Sequence, residues 1–446
     1  MPPPLSDDAP PMATPLMPDP TSGRRPGVLE NSALNLGGLV AASGLGALSG
    51  LITARTLGEE AVGILAVVFG LIEFGRGLTN FTHTPSILEV HRGTDEGAVF
   101  GTSLLLKLVG AFLFVALAAA AAPALGAVFH VPPLAIVLTS VLLVVGAYQE
   151  VGTARFEAAN QMLTRNLLVA LGPFVGLSAV VVFVLLGRYD IYTAIATSLI
   201  GTAAMSLGFL ALWRRPRFRF HRPTAGYLLR YGGKLVLSSF LTMVLLWTDT
   251  LMISALLGNA DAGVYNVVFQ LTFVMVTASV AIGVALLPAM SELASRGHDT
   301  GVAYQRGTLL ALLLATLIAL VYVALGRFIL ALYGAAFVAG YVPLVVLTVF
   351  GVAAALLVPA QSMLTVHGRA SLLLLLSLAQ ASVNIPLNYY FIGRMGILGA
   401  SIATTLVFVL GLLATWWLVR RTTGAWPLSR ATLREGWEKA RARLRG

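Results

Sequence analysis

Apolar runs of about 20 residues recur along nearly the whole chain, separated by short polar or glycine-containing turns. Each run is long enough to cross the ~30 Å hydrocarbon core of a bilayer as an α-helix. Twelve spans are predicted, near residues 31–56, 60–84, 97–122, 133–155, 164–187, 191–213, 229–256, 262–288, 304–332, 342–365, 371–391 and 397–419. Membrane β-strands would instead show ~10-residue segments of alternating polarity. The pattern therefore predicts an all-α polytopic membrane protein.

One helical hairpin occurs twice, at an offset of 200 residues. Residues 51–71 and 251–271 share eight identities without a gap. The shared positions include Leu57/Leu257, Gly58/Gly258 and Gly63/Gly263. Each copy consists of an apolar helix, a Leu-Gly stop, a short polar turn, a glycine and a second apolar helix. This duplication predicts two halves of six helices each.

Lysine and arginine fall mainly on one side of the predicted spans. With the N-terminus placed in the cytoplasm, 23 of them lie on the cytoplasmic side and four on the other, which is a strong positive-inside signal. The protein is therefore expected in the cytoplasmic (inner) membrane, with both termini in the cytoplasm. A basic linker at 214–228 joins the halves 30–213 and 229–420. Because both halves start on the same side, they form a parallel repeat, and a central cavity is expected at their interface.

The two ends of the chain differ from the apolar body. Residues 1–29 are rich in proline and contain no apolar run, so they are expected to form a disordered cytoplasmic tail. Residues 421–446 are expected to form a basic amphipathic tail, with a helix on the inner leaflet surface or a solvated basic segment as the alternatives.

Composition narrows the function classes. The chain is 57% hydrophobic and 11% charged, whereas soluble domains carry ~25% charged residues. It has no cysteine, and its six histidines show no metal-ligand spacing, so neither a metal nor a cofactor is expected. It lacks a GxxxxGK[ST] loop and any extramembrane segment long enough for a catalytic domain, so it is not expected to be an enzyme. Its net charge of +10 comes from loops and tails beside the spans, which favours contact with anionic membrane lipids and not with nucleic acid.

Five ionisable residues fall within the predicted spans. Such groups cost ~2.5–3.5 kcal/mol at the centre of a membrane helix, so they usually face a cavity or a partner. Glu73 and Arg76 are three residues apart and are expected to pair on one helix face, while Lys107 offers Glu73 a second partner. Glu150 lies near the cytoplasmic boundary, where its side chain is expected to reach the interface. Asp249 has no base within four residues, so it either lines a cavity or is a buried carboxylate satisfied by other helices.

Small residues and prolines mark places where helices pack closely or bend. In the first span one small residue per turn lies on one face: Gly38, Ala42, Gly46 and Gly50. This stripe favours either close packing or bending of the helix. Pro85 and Pro288 predict matching kinks or helix ends, and Pro173 and Pro386 predict breaks in the fifth and eleventh spans.

Three stretches carry a pattern found in a known family. The first is TARTLGEEAVGILAVVFGL, with Arg55, Leu57, Gly58 and Gly63. The second is WTDTLMISALLGNADAGVYNVVFQL, with Asp249, Leu257, Gly258, Gly263 and Tyr265, followed by ALLPAMSEL with Pro288. The third is HGRASLLLLLSLAQASVNIPLNYYFIGRMGILGASIATTL, with Asn384, Asn388, Gly396 and Gly399. Over residues 30–420 the chain thus resembles the Wzx-type oligosaccharide flippases of polysaccharide biosynthesis, which belong to the multidrug/oligosaccharidyl-lipid/polysaccharide (MOP) exporter superfamily.

The resemblance implies twelve helices in two bundles around a central cavity. It also implies transport of an undecaprenyl-pyrophosphate-linked oligosaccharide between leaflets by alternating access, driven by a sodium or proton gradient, for O-antigen, capsule or exopolysaccharide synthesis. A polymerase and other polysaccharide assembly proteins are its implied partners. The family has no sharply fixed catalytic motif, so roles are assigned from side-chain chemistry. Arg55, Arg76 and Lys107 are expected to bind the anionic head group, and Glu73 and Asp249 are candidates for ion or proton coupling.

The main alternative is a cation-coupled multidrug efflux transporter of the same superfamily. Such exporters favour a more aromatic and more acidic cavity, whereas the intramembrane bases favour an anionic substrate. A lipid II flippase of the superfamily would carry two further helices. A polymerase or ligase would need a long non-cytoplasmic loop with catalytic bases, and a non-transporting scaffold is a further alternative.

Overall fold

The computed structural model describes residues 28–213 and 218–428, and helices dominate both segments. The Pro-rich tail and most of the basic C-terminal tail lie outside the described residues. The helices of the described chain are α1 Val28–Thr79, α2 His83–His91, α3 Glu96–Phe129, α4 Pro133–Ala158, α5 Met162–Leu185, α6 Ile191–Leu212, α7 Arg222–Leu257, α8 Asn259–Ser295, α9 Gly301–Tyr333, α10 Tyr341–Val366 and α11 Ala370–Thr423. Helix α7 begins within the range predicted for the linker.

Two of these helices are divided by a glycine. Helix α1 has 52 residues and α11 has 54, more than twice the ~20 residues that cross a bilayer. Gly58 in α1 (φ 81°, ψ 178°) and Gly396 in α11 (φ 60°, ψ −141°) have non-helical backbone angles. Ten stretches of the described chain are long and apolar enough to cross a membrane, and dividing α1 and α11 at these glycines gives twelve spans. The prediction of an all-α protein with twelve spans is confirmed.

The duplicated turns have the same backbone conformation. Gly258 (φ 108°, ψ 174°) separates α7 from α8 much as Gly58 divides α1. A positive φ with extended ψ is accessible to glycine and strained for other residues. Leu57, just before the first turn, packs against the core of the first half.

The two copies of the hairpin pack against each other at one end of the bundle. A Cβ atom on Gly63 would overlap the carbonyl oxygen of Asn259, and a Cβ on Gly263 would overlap that of Glu59. The contacts are reciprocal, as expected for two copies related by an approximate two-fold axis. The backbones of α1 and α8 therefore cross in direct contact, because neither residue has a side chain. We call this end the hairpin end, and the opposite end, where Trp213 leads into the linker, the linker end.

Further contacts tie the halves together at the hairpin end. The Ser254 hydroxyl donates to the carbonyl oxygen of Phe129 at 2.9 Å, and the Asn259 amide donates to that of His130 at 2.7 Å. The Arg55 guanidinium donates to the carbonyl oxygen of Leu332 at 3.2 Å, at the C-terminus of α9. A cation at a helix C-terminus is favourable because unpaired carbonyls there carry partial negative charge.

Between the hairpin end and the linker end, α7 packs on the first half. A Cβ atom on Gly70 would lie 2.7 Å from the Trp247 ring, so α1 and α7 approach closely there. The rings of Phe74 and Phe240 meet with centroids 5.7 Å apart. Nearer the linker, a Cβ atom on Gly232 would overlap the carbonyl oxygen of Phe81, so the first part of α7 is also held by the half that precedes the linker.

Proline has less effect on the helices than predicted. A 3₁₀ turn at Asn80–Thr82 separates α1 from α2, and Pro85 lies in the first turn of α2, so a kink occurs there as expected. In contrast, α5 continues through Pro173, α8 through Pro288 and α11 through Pro386. The predicted breaks at Pro173 and Pro386 are wrong, and α8 does not end at Pro288. Each proline removes one backbone donor, and the hydrogen bonds on either side maintain the helix.

The glycine crossing generates a stability prediction. We expect Gly63→Ala and Gly263→Ala each to lower the melting temperature of the purified protein in detergent, since a methyl group must displace the backbone of the other half. Gly226→Ala is the matched control, because a Cβ atom there meets nothing within 4 Å. Scanning fluorimetry measures all three variants. Unchanged melting in both crossing variants would contradict the direct backbone contact.

Candidate functional site

A cavity of about 630 Å³ lies between the two halves. Its walls come mainly from α1 and α6 of the first half and α7 and α8 of the second. Along α1 it reaches Ser43 and Glu73, each 15 residues from Gly58, which is about 22 Å at 1.5 Å per residue. The cavity therefore extends from the crossed hairpins toward the linker end. The small-residue stripe of α1 has two environments. Gly46 and Gly50 line the cavity, whereas Gly38 packs on Asn166.

The polar groups that line the cavity are almost all uncharged. The first half contributes the hydroxyls of Ser43, Ser49, Thr53, Tyr189, Thr197 and Ser198. The second half contributes Thr250, Asn266, Gln270 and Thr277, with Tyr333 at the end of α9. Aromatic rings come from Phe69, Trp247, Phe269 and Phe273. Among the described lining residues, Glu73 carries the one formal charge.

Glu73 belongs to a network of four ionised side chains in the first half. The Arg76 guanidinium donates to the Glu73 carboxylate, as predicted for this pair, and its Nε lies 3.6 Å from Glu150 Oε1. Lys107 Nζ lies 2.6 Å from Glu150 Oε2 and also donates to Asn80 Oδ1 at 3.0 Å. Two carboxylates thus face two bases, and the network is neutral.

This network corrects two predictions. Lys107 pairs with Glu150, not with Glu73, because α3 brings its ammonium group against α4. Glu150 is not an interfacial side chain: it is 17% exposed and balances a lysine that is 1% exposed. A buried ammonium requires a counter-charge, and the neighbouring helix supplies it.

The three bases predicted to contact a substrate lie in different places. Lys107 is enclosed and paired, which does not fit direct contact with a substrate. Arg55 is exposed at the hairpin end and contacts α9. Arg76 is 38% exposed beside Glu73 at the cavity wall. Arg76 does not line the cavity itself, but of the three it is the one that forms an ion pair with a lining residue, Glu73.

Asp249 forms a second polar cluster, enclosed within the second half. Its carboxylate is 1% exposed and accepts hydrogen bonds from Tyr265 Oη at 2.7 Å, Asn388 Nδ2 at 2.7 Å and the Thr404 hydroxyl. The donors come from α8 and from both spans of α11. Asp249 therefore does not line the cavity, and the alternative of a carboxylate satisfied by other helices agrees with the structure.

The Asp249 cluster retains unused polar atoms. Asn384 and Asn388 are fully buried, and among the described residues Asn384 Oδ1, Asn384 Nδ2 and Asn388 Oδ1 have no hydrogen-bond partner. Buried amide oxygens without a donor are costly. Several oxygens around one carboxylate resemble the ligand sets that hard cations prefer.

The third family motif, residues 367–406, brings the Asp249 cluster together. Gly396 turns the chain between the two spans of α11, and a Cβ atom on Gly399 would overlap the carbonyl oxygen of Phe391. The tight turn places Thr404 against the span that carries Asn388. Leu257 lies beside the same turn, 3.9 Å from a Cβ atom built on Gly396.

Sequence reasoning missed several residues of both regions. Thr404 was not singled out, because a threonine in an apolar helix gives no signal until its partner is known. Asn266 and Gln270 were also missed. They are four residues apart, on one face of an apolar span, and this spacing could have identified them as polar residues facing a cavity.

Comparison with known families agrees with this architecture. The sequence profile described as polysaccharide biosynthesis protein matches residues 28–294. The chain belongs to this family. The MatE profile matches residues 235–390, while a comparison with curated proteins finds no match.

Solved structures show the same fold. A multidrug resistance MATE family transporter of the MOP superfamily, in an inward-facing conformation, aligns with a TM-score of 0.75 and 16% identity over 88% of this chain and 98% of its own. The lipid II flippase MurJ, in an inward closed conformation, gives 0.73 and 11% over 87% of each chain. A MOP superfamily transporter from Pyrococcus furiosus gives 0.66 and 15% over 89% and 95%. These structures show the fold; taken with the polysaccharide biosynthesis and MatE profiles, they identify the protein as a multi-pass membrane transporter of the MOP superfamily.

The buried ion pair leads to a stability prediction. We expect Lys107→Met to destabilise the protein by about 3–5 kcal/mol, because Glu150 loses its enclosed counter-charge. The double variant Lys107→Met/Glu150→Gln should recover part of this loss, since no unpaired carboxylate remains. Thermal unfolding in detergent measures both. If Lys107→Met alone unfolds like the wild type, the pair does not stabilise the first half.

Proposed function

We propose that this protein is a flippase that moves an undecaprenyl-pyrophosphate-linked oligosaccharide across the cytoplasmic membrane by alternating access, for O-antigen, capsule or exopolysaccharide synthesis. The observation that carries the proposal is the chemistry of the cavity. Hydroxyls and amides hydrogen-bond to sugar hydroxyls, and aromatic rings pack against the apolar faces of sugar rings. Both kinds of group line the cavity between the halves.

Arg76 is the proposed contact for the pyrophosphate. It lies 18 residues from Gly58, or about 27 Å along the helix, close to the full thickness of the hydrocarbon core. A phosphate there stays near head-group depth while the isoprenoid chain remains in lipid. Guanidinium groups bind phosphate oxygens strongly through charge-assisted hydrogen bonds. Lys107 acts indirectly, by holding the Glu150 carboxylate that faces Arg76.

Alternating access requires the halves to separate at one end and close at the other. At the hairpin end the halves meet at Gly63 and Gly263, and Arg55 contacts α9. With the termini in the cytoplasm, as the positive-inside signal predicts, this end faces outward. The described conformation then corresponds to a state closed on the outside, and Arg55 stabilises that closure instead of binding substrate.

We propose that Asp249 couples transport to a sodium or proton gradient. A carboxylate enclosed without a base nearby is most stable with a cation or a proton beside it. The free amide oxygens of Asn384 and Asn388 complete an oxygen-rich environment for either. Glu73, which already has Arg76 as its partner, is the weaker candidate for this role.

Cation-coupled drug efflux is the second candidate function. It is favoured by the aromatic rings in the cavity and by Glu73 as the one charged group among its described lining residues. An organic cation could stack on these rings and pair with that carboxylate. Arg76 already neutralises the carboxylate, which makes the flippase the better proposal.

Translocation in proteoliposomes tests the function and the role of Arg76. The wild type should move a fluorescent pyrophosphate-linked oligosaccharide between leaflets, and Arg76→Ala should slow this by roughly tenfold or more, the effect of losing a hydrogen bond to a charged group. Arg394→Ala is the control, because Arg394 lies over the Tyr390 ring near the hairpin end. Efflux of an organic cation without any movement of the glycolipid would favour the drug exporter.

The coupling role is tested by Asp249→Asn. We expect the rate of translocation to lose its dependence on an imposed sodium or proton gradient, because the neutral amide neither attracts a cation nor carries a proton. Asp261→Asn, at an exposed position in the first turn of α8, should retain the dependence. Equal gradient dependence in Asp249→Asn and the wild type would leave Asp249 with a structural role alone.

A further inference from the structure

We infer that the cavity selects oligosaccharides whose sugars are uncharged and disfavours those that carry carboxylates, such as uronic acids. This inference rests on the proposed flippase function and specifies its substrate class. Among the described lining residues, eleven polar side chains are uncharged hydroxyls or amides, Glu73 is the one acid, and none is lysine, arginine or histidine.

The cavity offers hydrogen bonds that suit neutral sugars. Asn266 is 6% exposed and lines the cavity, and its side-chain amide makes no hydrogen bond to another described residue. Gln270 lies one turn further along α8, with Trp247 on the neighbouring helix. On the facing wall, Thr53 and Tyr189 bond to each other through their hydroxyls at 2.7 Å. Amide and hydroxyl groups both donate and accept, as sugar hydroxyls require.

An acidic sugar would find no compensating charge in this space. Transfer of a carboxylate from water into an enclosed site is unfavourable unless a base or several donors receive it. The nearest bases are not available to the sugar: Arg76 is the proposed contact of the pyrophosphate, and Lys107 is enclosed against Glu150. The pyrophosphate avoids this cost because it remains near head-group depth.

The inference is tested with two matched substrates in proteoliposomes that contain the full chain. Both carry the same fluorescent lipid pyrophosphate and the same number of sugars, and they differ in a terminal glucose or a terminal glucuronic acid. The neutral substrate should be translocated roughly tenfold faster or more, because the carboxylate of the glucuronic acid must lose its hydration without a base in the cavity to receive it. Competition by each free oligosaccharide provides a second readout.

A gain of function makes the test specific to the cavity. Gln270→Lys places a base on the lining and should raise the rate for the acidic substrate relative to the neutral one. Gln361→Lys adds the same charge on α10, at an exposed position that does not line the cavity, and should leave the ratio unchanged. This shift in the ratio, with both variants equally abundant in the membrane, supports the inference.

The possible failures are distinguishable. Equal translocation of both substrates by the wild type would overturn the neutral-sugar inference and leave the flippase function standing. A ratio that is the same in Gln270→Lys and in the wild type would also overturn it, since the cavity lining would not set the selectivity. If neither substrate is translocated, the proposed function fails and the inference fails with it.

Discussion

The contact between Gly63 and Gly263 is the constraint on which the rest of the structure depends. Two helices can share backbone contact at one point only if both lack side chains there. From that point α1 and α8 continue toward the linker end, and the cavity lies between the halves on that side. The same glycines that close one end of the bundle therefore define where the cavity begins. The duplicated hairpin is therefore the place where the two halves are packed together.

Charge is arranged so that the cavity remains nearly neutral. The four ionised groups around Arg76 and Glu150 compensate one another within the first half, and Asp249 is enclosed by donors within the second. The buried charges of each half are therefore compensated within that half. The interface between them is left to hydroxyls, amides and aromatic rings, which can accommodate a ligand without desolvating an unpaired ion.

The Asp249 cluster and the cavity are separate but adjacent along two helices. Asp249 is followed by Thr250, and Tyr265 is followed by Asn266; in each pair the first residue belongs to the cluster and the second lines the cavity. A change in the cluster that rotates α7 or α8 would therefore alter the cavity wall directly. This adjacency gives the proposed ion coupling a short physical route, through two helices with no intervening element.

The amino-acid sequence by itself determined the architecture: the spans follow from the length of the apolar runs, and the two halves follow from the repeated hairpin. It also indicated the Glu73–Arg76 pair, because residues three apart on a helix face each other. The tertiary structure decided everything that depends on contacts between helices. It paired Lys107 with Glu150, enclosed Asp249 with Thr404 and Asn388, and placed Arg55 against α9. Periodicity places a residue on a face of its own helix, but which helix lies opposite is set by packing, so a buried charge and its partner become visible only in the folded protein.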